Sequence, residues 1–240
     1  MSILIEKLSK DYGGAPVLSS ISTSIAQGEF VAVLGASGCG KSTLLNIVAG
    51  LETPTAGAVT VPAGGAAFMF QDAALLPWLT ARANIELALQ LRGVPRAQRK
   101  DQAQQLLELV HLGDAGSKRP HELSGGMRQR ASLARALGQD KPVLLMDEPF
   151  AALDAITRDL LHEELERIWL AQRRTVLFVT HNVREAVRLG QRVLLLSSRP
   201  GRLAAQWDID PLVRTDPAAQ AALTQEITQA LREEIRHHAH

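Results

Sequence analysis

The 240-residue chain has few aromatic residues, a single cysteine and almost no net charge. Phe, Trp and Tyr make up only 4% of the residues, whereas apolar residues make up 46%, so the core has to be mainly aliphatic. A formal net charge of +1 creates no field that attracts nucleic acid, and no nucleic-acid partner is expected. The only cysteine, Cys39, excludes an internal disulfide, which is typical of a reducing compartment.

The chain also lacks a long hydrophobic run. Glu6, Lys7, Lys10 and Asp11 interrupt the N-terminal segment, which argues against a signal peptide. No window reaches the roughly 18 apolar residues that a membrane span needs. We therefore expect that this chain does not cross a bilayer alone, and that any transport pathway is supplied by another chain.

The most informative segment is residues 35–42, with the sequence GASGCGKS, which fits the pattern G-x-x-x-x-G-K-[ST]. The apolar residues 30–34 before it are typical of a buried strand, and residues 42–49 after it favour a helix. A strand, a glycine turn and a helix start together present backbone N–H groups to an anion. We expect Lys41 to reach the β- and γ-phosphates of a nucleotide, and the Ser42 hydroxyl to hold Mg²⁺.

Two carboxylates follow a second apolar run. Residues 143–146 lead directly into Asp147 and Glu148, and such a pair at the end of a buried strand is costly unless a cation or water meets it. We predict that Asp147 orients Mg²⁺ through its water shell and that Glu148 is the general base for an attacking water. The alternative is that both carboxylates only cap the next element.

A second glycine-rich segment, LSGGMRQR, occupies residues 123–130. Ser124 is expected to cap a helix, and Gly125 and Gly126 expose N–H groups at the positive end of that helix. This makes a second phosphate cradle, although one nucleotide needs only one. Two cradles in one chain indicate that two copies pair head to tail, with each nucleotide held between them.

Apolar spacing outside these motifs predicts strands alternating with helices, which is typical of a mainly parallel sheet covered by helices. Strands are predicted at residues 2–8, 20–25, 30–34, 58–61, 66–70, 143–146, 175–179 and 193–196. Helices are predicted at residues 42–49, 81–92, 96–111, 124–138, 155–171, 182–189 and 216–236.

With its motifs in this order, the chain resembles the ATP-binding cassette (ABC) ATPases over nearly its whole length. The resemblance implies an α/β fold: a P-loop NTPase core with a mainly parallel sheet, an N-terminal antiparallel β subdomain and an inserted α-helical subdomain. It implies a single domain over residues 1–240, a helical subdomain at about 72–122 and a C-terminal helical extension at 205–240. The implied cofactors are ATP and Mg²⁺.

The resemblance also implies roles for individual residues. Tyr12 matches the aromatic residue that stacks on adenine, and Gln71 matches the glutamine that contacts Mg²⁺ and the attacking water. Asp154 matches the D-loop (residues 152–154), a segment that crosses the dimer interface, and His181 matches the switch histidine that contacts the γ-phosphate. The implied sets are ATP-binding Tyr12, Gly35, Ser37, Gly38, Cys39, Gly40, Lys41, Ser42 and Thr43; catalytic Gln71, Glu148 and His181; Mg²⁺-binding Ser42, Gln71 and Asp147; and, acting on the partner's nucleotide, Ser124, Gly125 and Gly126.

Four local segments resemble one branch of the family, the ATPases of nitrate, sulfonate, taurine and bicarbonate importers: residues 70–78, 146–158, 180–186 and 198–202. This implies a bacterial importer subunit at the cytoplasmic face of the inner membrane, acting with permease chains and an extracytoplasmic solute-binding protein. An aliphatic sulfonate or taurine is the expected solute, ahead of nitrate or bicarbonate. The apolar residues Leu75, Leu76 and Trp78 are the expected permease contact.

Three alternatives remain open at this point: an exporter ATPase, a non-transport ABC ATPase, and a nucleotide-gated scaffold without turnover. DNA-repair types carry a long coiled-coil insertion, and the 53 positions from Gln71 to Ser124 leave no room for one. Translation types usually carry two cassettes in a chain, whereas this chain has one. Glu148 and His181 argue against a scaffold without turnover, because they are the residues expected to hydrolyse ATP. The histidine-rich residues 236–240 favour a frayed chain end over a metal site.

Overall fold

The computed structural model describes residues 2–237, so residues 238–240 of the histidine-rich end lie outside the described part. Within it the chain forms nine strands, eight α-helices and two short 3₁₀ helices, at Gly113–Ala115 and Pro120–Glu122. The strands are β1 (Ile3–Asp11), β2 (Pro16–Ile25), β3 (Phe30–Gly35), β4 (Ala56–Thr60), β5 (Ala66–Met69), β6 (Val143–Asp147), β7 (Thr175–Val179), β8 (Arg192–Leu196) and β9 (Leu203–Asp208). The helices are α1 (Lys41–Val48), α2 (Ala81–Leu91), α3 (Arg96–Leu109), α4 (Gly125–Gly138), α5 (Ala155–Gln172), α6 (Val183–Leu189), α7 (Pro211–Thr215) and α8 (Pro217–His237).

The central sheet has six strands in the order β5-β6-β7-β3-β8-β9, and all neighbours are parallel except the β8–β9 pair. Strands β3, β6 and β7 are buried at every position. Helices cover both faces of such a sheet, so its strands are continuous aliphatic runs rather than alternating ones. The expected mainly parallel α/β architecture is confirmed.

The N-terminal strands form a separate antiparallel sheet in the order β2-β1-β4, as expected. Strand β3 contributes side chains to two hydrophobic cores, because successive side chains of a strand point to opposite faces. Val31 and Val33 pack in the core that includes β1, β2 and α1. Phe30 and Ala32 pack in the other core, which includes the helical block between β5 and β6.

That block comprises α2, α3 and α4, and α4 packs against both of the other helices as well as β5. Thr80 begins α2 by accepting a hydrogen bond from the Ala83 N–H, and Ser124 begins α4 in the same way with the Met127 N–H. The segment between β5 and α2 is held to α4 by Arg135, whose guanidinium donates to the carbonyls of Ala73 and Ala74. The chain just after β5 is therefore attached to the helical block.

The C-terminal region differs from the expectation of a helical extension from residue 205. Residues 203–208 form β9, which pairs antiparallel with β8 at the edge of the central sheet. Half-buried and exposed residues alternate along β9, so the period of two that marks a half-buried strand is present in the sequence. Helical structure begins only with α7, at Pro211.

Candidate active site

The phosphate-loop segment lies between the carboxyl end of β3 and the start of α1. Gly38 and Gly40 both have left-handed backbone conformations, with φ of 76° and 104°. A Cβ atom at Gly40 would lie 2.5 Å from Leu18 Cδ2, and one at Gly35 would lie 2.7 Å from Cys39 Sγ. Glycine is therefore required for close packing at both positions and for backbone conformation at Gly40.

Lys41 is buried, and its ammonium group donates to the carbonyl oxygens of Gly35 at 2.9 Å and Ala36 at 2.8 Å. These bonds hold the cation against the loop. Cys39, within the same loop, is 1% exposed, and burial raises the pKa of its thiol. A buried neutral thiol acts as a small packing residue rather than a reactive group.

A cavity of about 460 Å³ brings together side chains that are far apart in the sequence. Gln71 follows β5, Glu148 follows β6 and His181 follows β7, and all three reach the phosphate loop because parallel strands end at the same edge of a sheet. The lining residues are Val17, Ser37, Gly38, Gly40, Lys41, Ser42, Thr43, Gln71, Glu148 and His181. Sequence reasoning missed only Val17 in this group, because a valine within a strand carries no chemical signal.

Glu148 is the centre of the polar contacts in this cavity. Its Oε2 atom lies 3.2 Å from His181 Nδ1 and 3.5 Å from Gln71 Nε2. Glu148 has a left-handed backbone conformation with φ of 47°, and its N–H donates to the Val179 carbonyl at 2.9 Å. A glutamate in that conformation is strained, and strain of this kind concentrates at functional sites.

Asp147 ends β6 and is 5% exposed. Burial raises the pKa of its carboxyl group, and a hydrogen bond with the Ser42 hydroxyl opposes this shift. Its Oδ1 atom is buried and has no hydrogen-bond partner among the described residues. A buried carboxylate oxygen left in this state requires a cation or a water molecule.

Tyr12 does not line this cavity in the structure. Its ring is largely exposed, its hydroxyl donates to Glu52, and the Lys10 ammonium lies 4.8 Å from the ring centroid. The hydrogen bond to Glu52 raises the pKa of the Tyr12 hydroxyl, and an interaction with Thr43, a lining residue, opposes that shift. Tyr12 is thus next to the cavity with its ring face partly covered by Lys10.

The second glycine-rich segment lies away from the phosphate-loop cavity. Ser124, Gly125 and Gly126 are absent from the residues that line it within the described chain. A Cβ atom at Gly126 would lie 2.9 Å from Leu153 Cδ2, so this segment packs on the residues before α5. There Asp154 caps α5 by accepting the Thr157 N–H, and this bond lowers the pKa of the Asp154 carboxyl.

Two large apolar side chains in and next to the helical block are exposed. Trp78 is 67% exposed and Leu91 is 81% exposed. A second cavity, of about 690 Å³, is lined by Leu76 and Leu91 among others, whereas Leu75 packs inward against the core. In the described part of the chain we find no helix whose length and apolarity would suit a bilayer crossing.

The fold and the glycine loop together define a P-loop nucleotide-binding protein, with Gln71, Glu148 and His181 gathered beside the loop at the carboxyl ends of the strands. The family model for ABC transporters matches residues 18–151. The chain belongs to the ABC transporter family and is an ATPase of the ABC type.

Relatives and solved structures agree with this assignment. The taurine import ATP-binding protein TauB of Mesorhizobium japonicum is 46% identical over 215 residues, which cover 86% of this chain and 84% of the relative. The TauB of Pseudomonas entomophila is 43% identical over 215 residues, covering 86% and 83%. A dimeric post-hydrolysis structure of the ATP-binding cassette MJ0796, bound to ADP and Pi, matches with a TM-score of 0.80 at 30% identity, covering 87% of this chain and 99% of the other.

Proposed function

We propose that this chain is the ATP-hydrolysing subunit of a bacterial importer for taurine or another aliphatic sulfonate. The likeness to taurine import proteins at 43–46% identity over more than four-fifths of the chain supports this choice. The exposed side chain of Trp78, in the segment expected to contact a permease, supports a permease contact at the cytoplasmic membrane face.

The active unit is a head-to-tail dimer of this chain. The observation that carries this proposal is that the phosphate-loop cavity is lined by Lys41, Glu148 and His181 but not by the cradle at Ser124–Gly126. In a two-fold dimer each nucleotide then lies between the phosphate loop of one copy and the Ser124 cradle of the other. The dimeric state of the similar cassette MJ0796 supports this arrangement.

Hydrolysis follows from the placement of the catalytic side chains. Lys41 and the loop N–H groups bind the phosphates, and the exposed His181 side chain contacts the γ-phosphate. Glu148 takes a proton from a water molecule whose oxygen attacks the γ-phosphorus as the bond to the ADP oxygen breaks. The products are ADP and inorganic phosphate, and loss of the bridging γ-phosphate opens the dimer.

Magnesium fits the residues beside the loop. Ser42, Asp147 and Gln71 would hold the ion. The unpartnered, buried Oδ1 atom of Asp147 is the observation that favours a cation there. When bound, Mg²⁺ neutralises charge on the phosphates.

The Glu148→Gln variant tests the hydrolytic role. Without the proton acceptor, ATP turnover should fall by about 10²–10⁴-fold while ATP binding persists. The variant should accumulate as a dimer in ATP, measured by light scattering. Glu163→Gln, an exposed position on α5, is the matched control and should hydrolyse ATP normally. Ready hydrolysis by the Glu148 variant would contradict the proposed base.

The solute is tested with the chain assembled with the membrane protein encoded beside it and with the solute-binding protein. ATP turnover in vesicles should rise with taurine or an alkanesulfonate and not with nitrate. Stimulation by nitrate alone would indicate that the transported solute is an inorganic anion. Solute entering rather than leaving the compartment opposite the ATPase would indicate an exporter.

A further inference from the structure

The loop that carries His181 is held from both sides by one buried carboxylate, that of Glu185. The Thr180 hydroxyl donates to Glu185 Oε2 at 2.7 Å, and the Asn182 side-chain amide donates to Oε1 at 3.2 Å. The Asn182 N–H also donates to the Thr180 hydroxyl at 3.0 Å. Glu185 is 6% exposed, whereas the His181 side chain is 67% exposed. The exposed histidine therefore depends on Glu185 for its position.

Arg158 connects this carboxylate to the D-loop segment. Its Nε atom lies 3.5 Å from Glu185 Oε1, which is an ion-pair distance without hydrogen-bond geometry. Its Nη2 atom donates to the Leu153 carbonyl at 2.9 Å. The neighbouring Ala152 N–H donates to Gln129 Oε1 on α4, the helix that the Ser124 cradle begins. One guanidinium thus links the D-loop to the loop of His181.

The same residues lie next to the proposed base. A small cavity of about 50 Å³ is lined by Glu148, Ala151, Arg158, Thr180, His181, Asn182 and Glu185. Its volume exceeds the roughly 10–15 Å³ that one water needs, and its lining is polar, so water can occupy it. Arg158 is the cationic group in the described lining that is charged at every physiological pH.

We propose that Arg158 and Glu185 are positioning residues that couple the D-loop to His181. When a partner copy engages the D-loop, the Leu153 carbonyl moves with it, and the Arg158–Glu185 pair transmits that movement to Thr180 and Asn182. His181 and Glu148 then reach their reactive positions only in the closed dimer. The coupling rests on the proposed dimeric hydrolysis. Its physical basis is that a buried carboxylate hydrogen-bonded on both oxygens, as Glu185 is, resists rearrangement.

The first test measures ATP hydrolysis by the full chain carrying Arg158→Gln or Glu185→Gln. Each variant should lower kcat by about 10- to 100-fold, the cost of a small misplacement of catalytic groups, with KM for ATP within about twofold. Arg158→Lys keeps the charge but cannot contact both Glu185 and the Leu153 carbonyl as the guanidinium does. Its kcat should therefore fall by a similar factor. Arg167→Gln, at an exposed arginine of α5 that pairs with Glu164, is the control and should match the wild type.

The second test combines Arg158→Gln with His181→Ala. If Arg158 acts through His181, the double variant should be no slower than His181→Ala alone. The coupling would be overturned if the effects of the two substitutions multiply in the double variant. It would also be overturned if Arg158→Gln leaves kcat unchanged or raises only the KM for ATP. Thermal melts and binding of a fluorescent ATP analogue identify a folded protein, and Glu185→Gln or Arg158→Lys replaces any variant that does not fold. If the wild-type chain hydrolyses no ATP, the proposed function is refuted. If the wild-type chain is active but the effects of the two substitutions multiply, only this coupling is refuted.

Discussion

Asp147 and His162 are buried ionisable side chains that the fold holds without a full set of hydrogen-bond partners. His162 is 3% exposed, its ring packs edge-on against Phe150 at 4.4 Å, and neither ring nitrogen has a partner within residues 2–237. The sequence does not indicate that His162 is buried or that its ring nitrogens lack partners, because a histidine in the middle of an amphipathic helix looks like any half-polar position. We therefore expect these two side chains to make the stability of the protein depend on pH.

Replacing His162 with Phe should remove an acid-sensitive contribution to stability. Burial lowers the His162 pKa from 6.5 to about 4, so the stability of the neutral ring is present above pH 6.5 and is lost as pH falls toward 4. The wild type should lose about 2–3 kcal/mol from this group between pH 7.5 and 4.5, as one pKa unit is about 1.4 kcal/mol. Urea unfolding at both pH values measures the difference.

His162→Phe keeps the ring contact with Phe150 and should lack that loss. His121→Phe, at an exposed position, is the matched control and should lose as much stability as the wild type. Equal losses in the His162 variant and the wild type would contradict the assignment.

Asp147→Asn should stabilise the protein free of nucleotide and metal at neutral pH. Because burial raises the Asp147 pKa, the stability of the protonated carboxyl is present below the ordinary aspartate pKa and lost as pH rises through the raised value. The melting temperature should rise by a few °C at pH 7.5, since about 1 kcal/mol shifts it by about 2–4 °C in a domain of this size. The gain should shrink near pH 4.

The same variant should lose the stabilisation that Mg²⁺ gives with ATP, measured by the same thermal melts. Asp208→Asn, an exposed residue of β9, is the control and should keep it. A destabilised Asp147→Asn protein at neutral pH without metal would show that its carboxylate is satisfied in another way.

At the scale of elements, helix α4 and the D-loop are packed as one unit. Gly126 lies against Ala152 and Leu153, and Gln129 holds the Ala152 N–H one turn further along the helix. The sequence predicted the start of α4 at Ser124 from the capping residue and the glycines. It did not predict this packing, because the D-loop follows Gly126 by about 25 positions and only the sheet brings them together.

Gly126→Ala and Gly125→Ala form a matched pair that tests this packing. A Cβ atom at Gly126 would lie 2.9 Å from Leu153 Cδ2 and 3.1 Å from the Ala152 carbonyl oxygen, so the D-loop has to move. Gly126→Ala should cost about 1–3 kcal/mol, as overpacking does. A Cβ atom at Gly125 would meet its nearest neighbour at 3.6 Å, and Gly125→Ala should stay within about 0.5 kcal/mol. Equal unfolding free energies for the two variants would contradict the contact.

At the scale of the whole molecule, residues 2–237 of each chain contain the phosphate-loop cavity and, away from it, the proposed cradle at Ser124. A head-to-tail dimer makes a specific prediction for mixed subunits. Lys41→Ala removes a phosphate ligand from one site, and Ser124→Arg blocks the cradle that serves the partner's site. Each variant alone should be inactive, because both sites of its homodimer lack one half.

Mixing the two variants in equal amounts should restore activity. Half of the dimers are then mixed, and in each of these one site keeps both intact halves, so about a quarter of the wild-type rate should return if the sites act independently. Phosphate release and light scattering with ATP measure the recovery. A mixture as inactive as its components, without an ATP-dependent dimer, would refute the head-to-tail arrangement.

The sequence by itself determined the parts of this protein whose physical basis is local. The glycines and Lys41 of the phosphate loop, the aliphatic runs of the parallel strands, the carboxylates that follow β6 and the capping serine of α4 are all readable from residue type and spacing. Each needs only a few neighbouring residues to act.

The tertiary structure decided which of these parts meet. It placed β9 at the sheet edge where a helical extension was expected, turned Leu75 inward and left Trp78 outside, and put Glu148 in a left-handed conformation. It also joined Arg158 of α5 to Glu185 of α6. Contacts of this kind arise from the order in which strands lie in a sheet, and no single segment of the sequence carries that order.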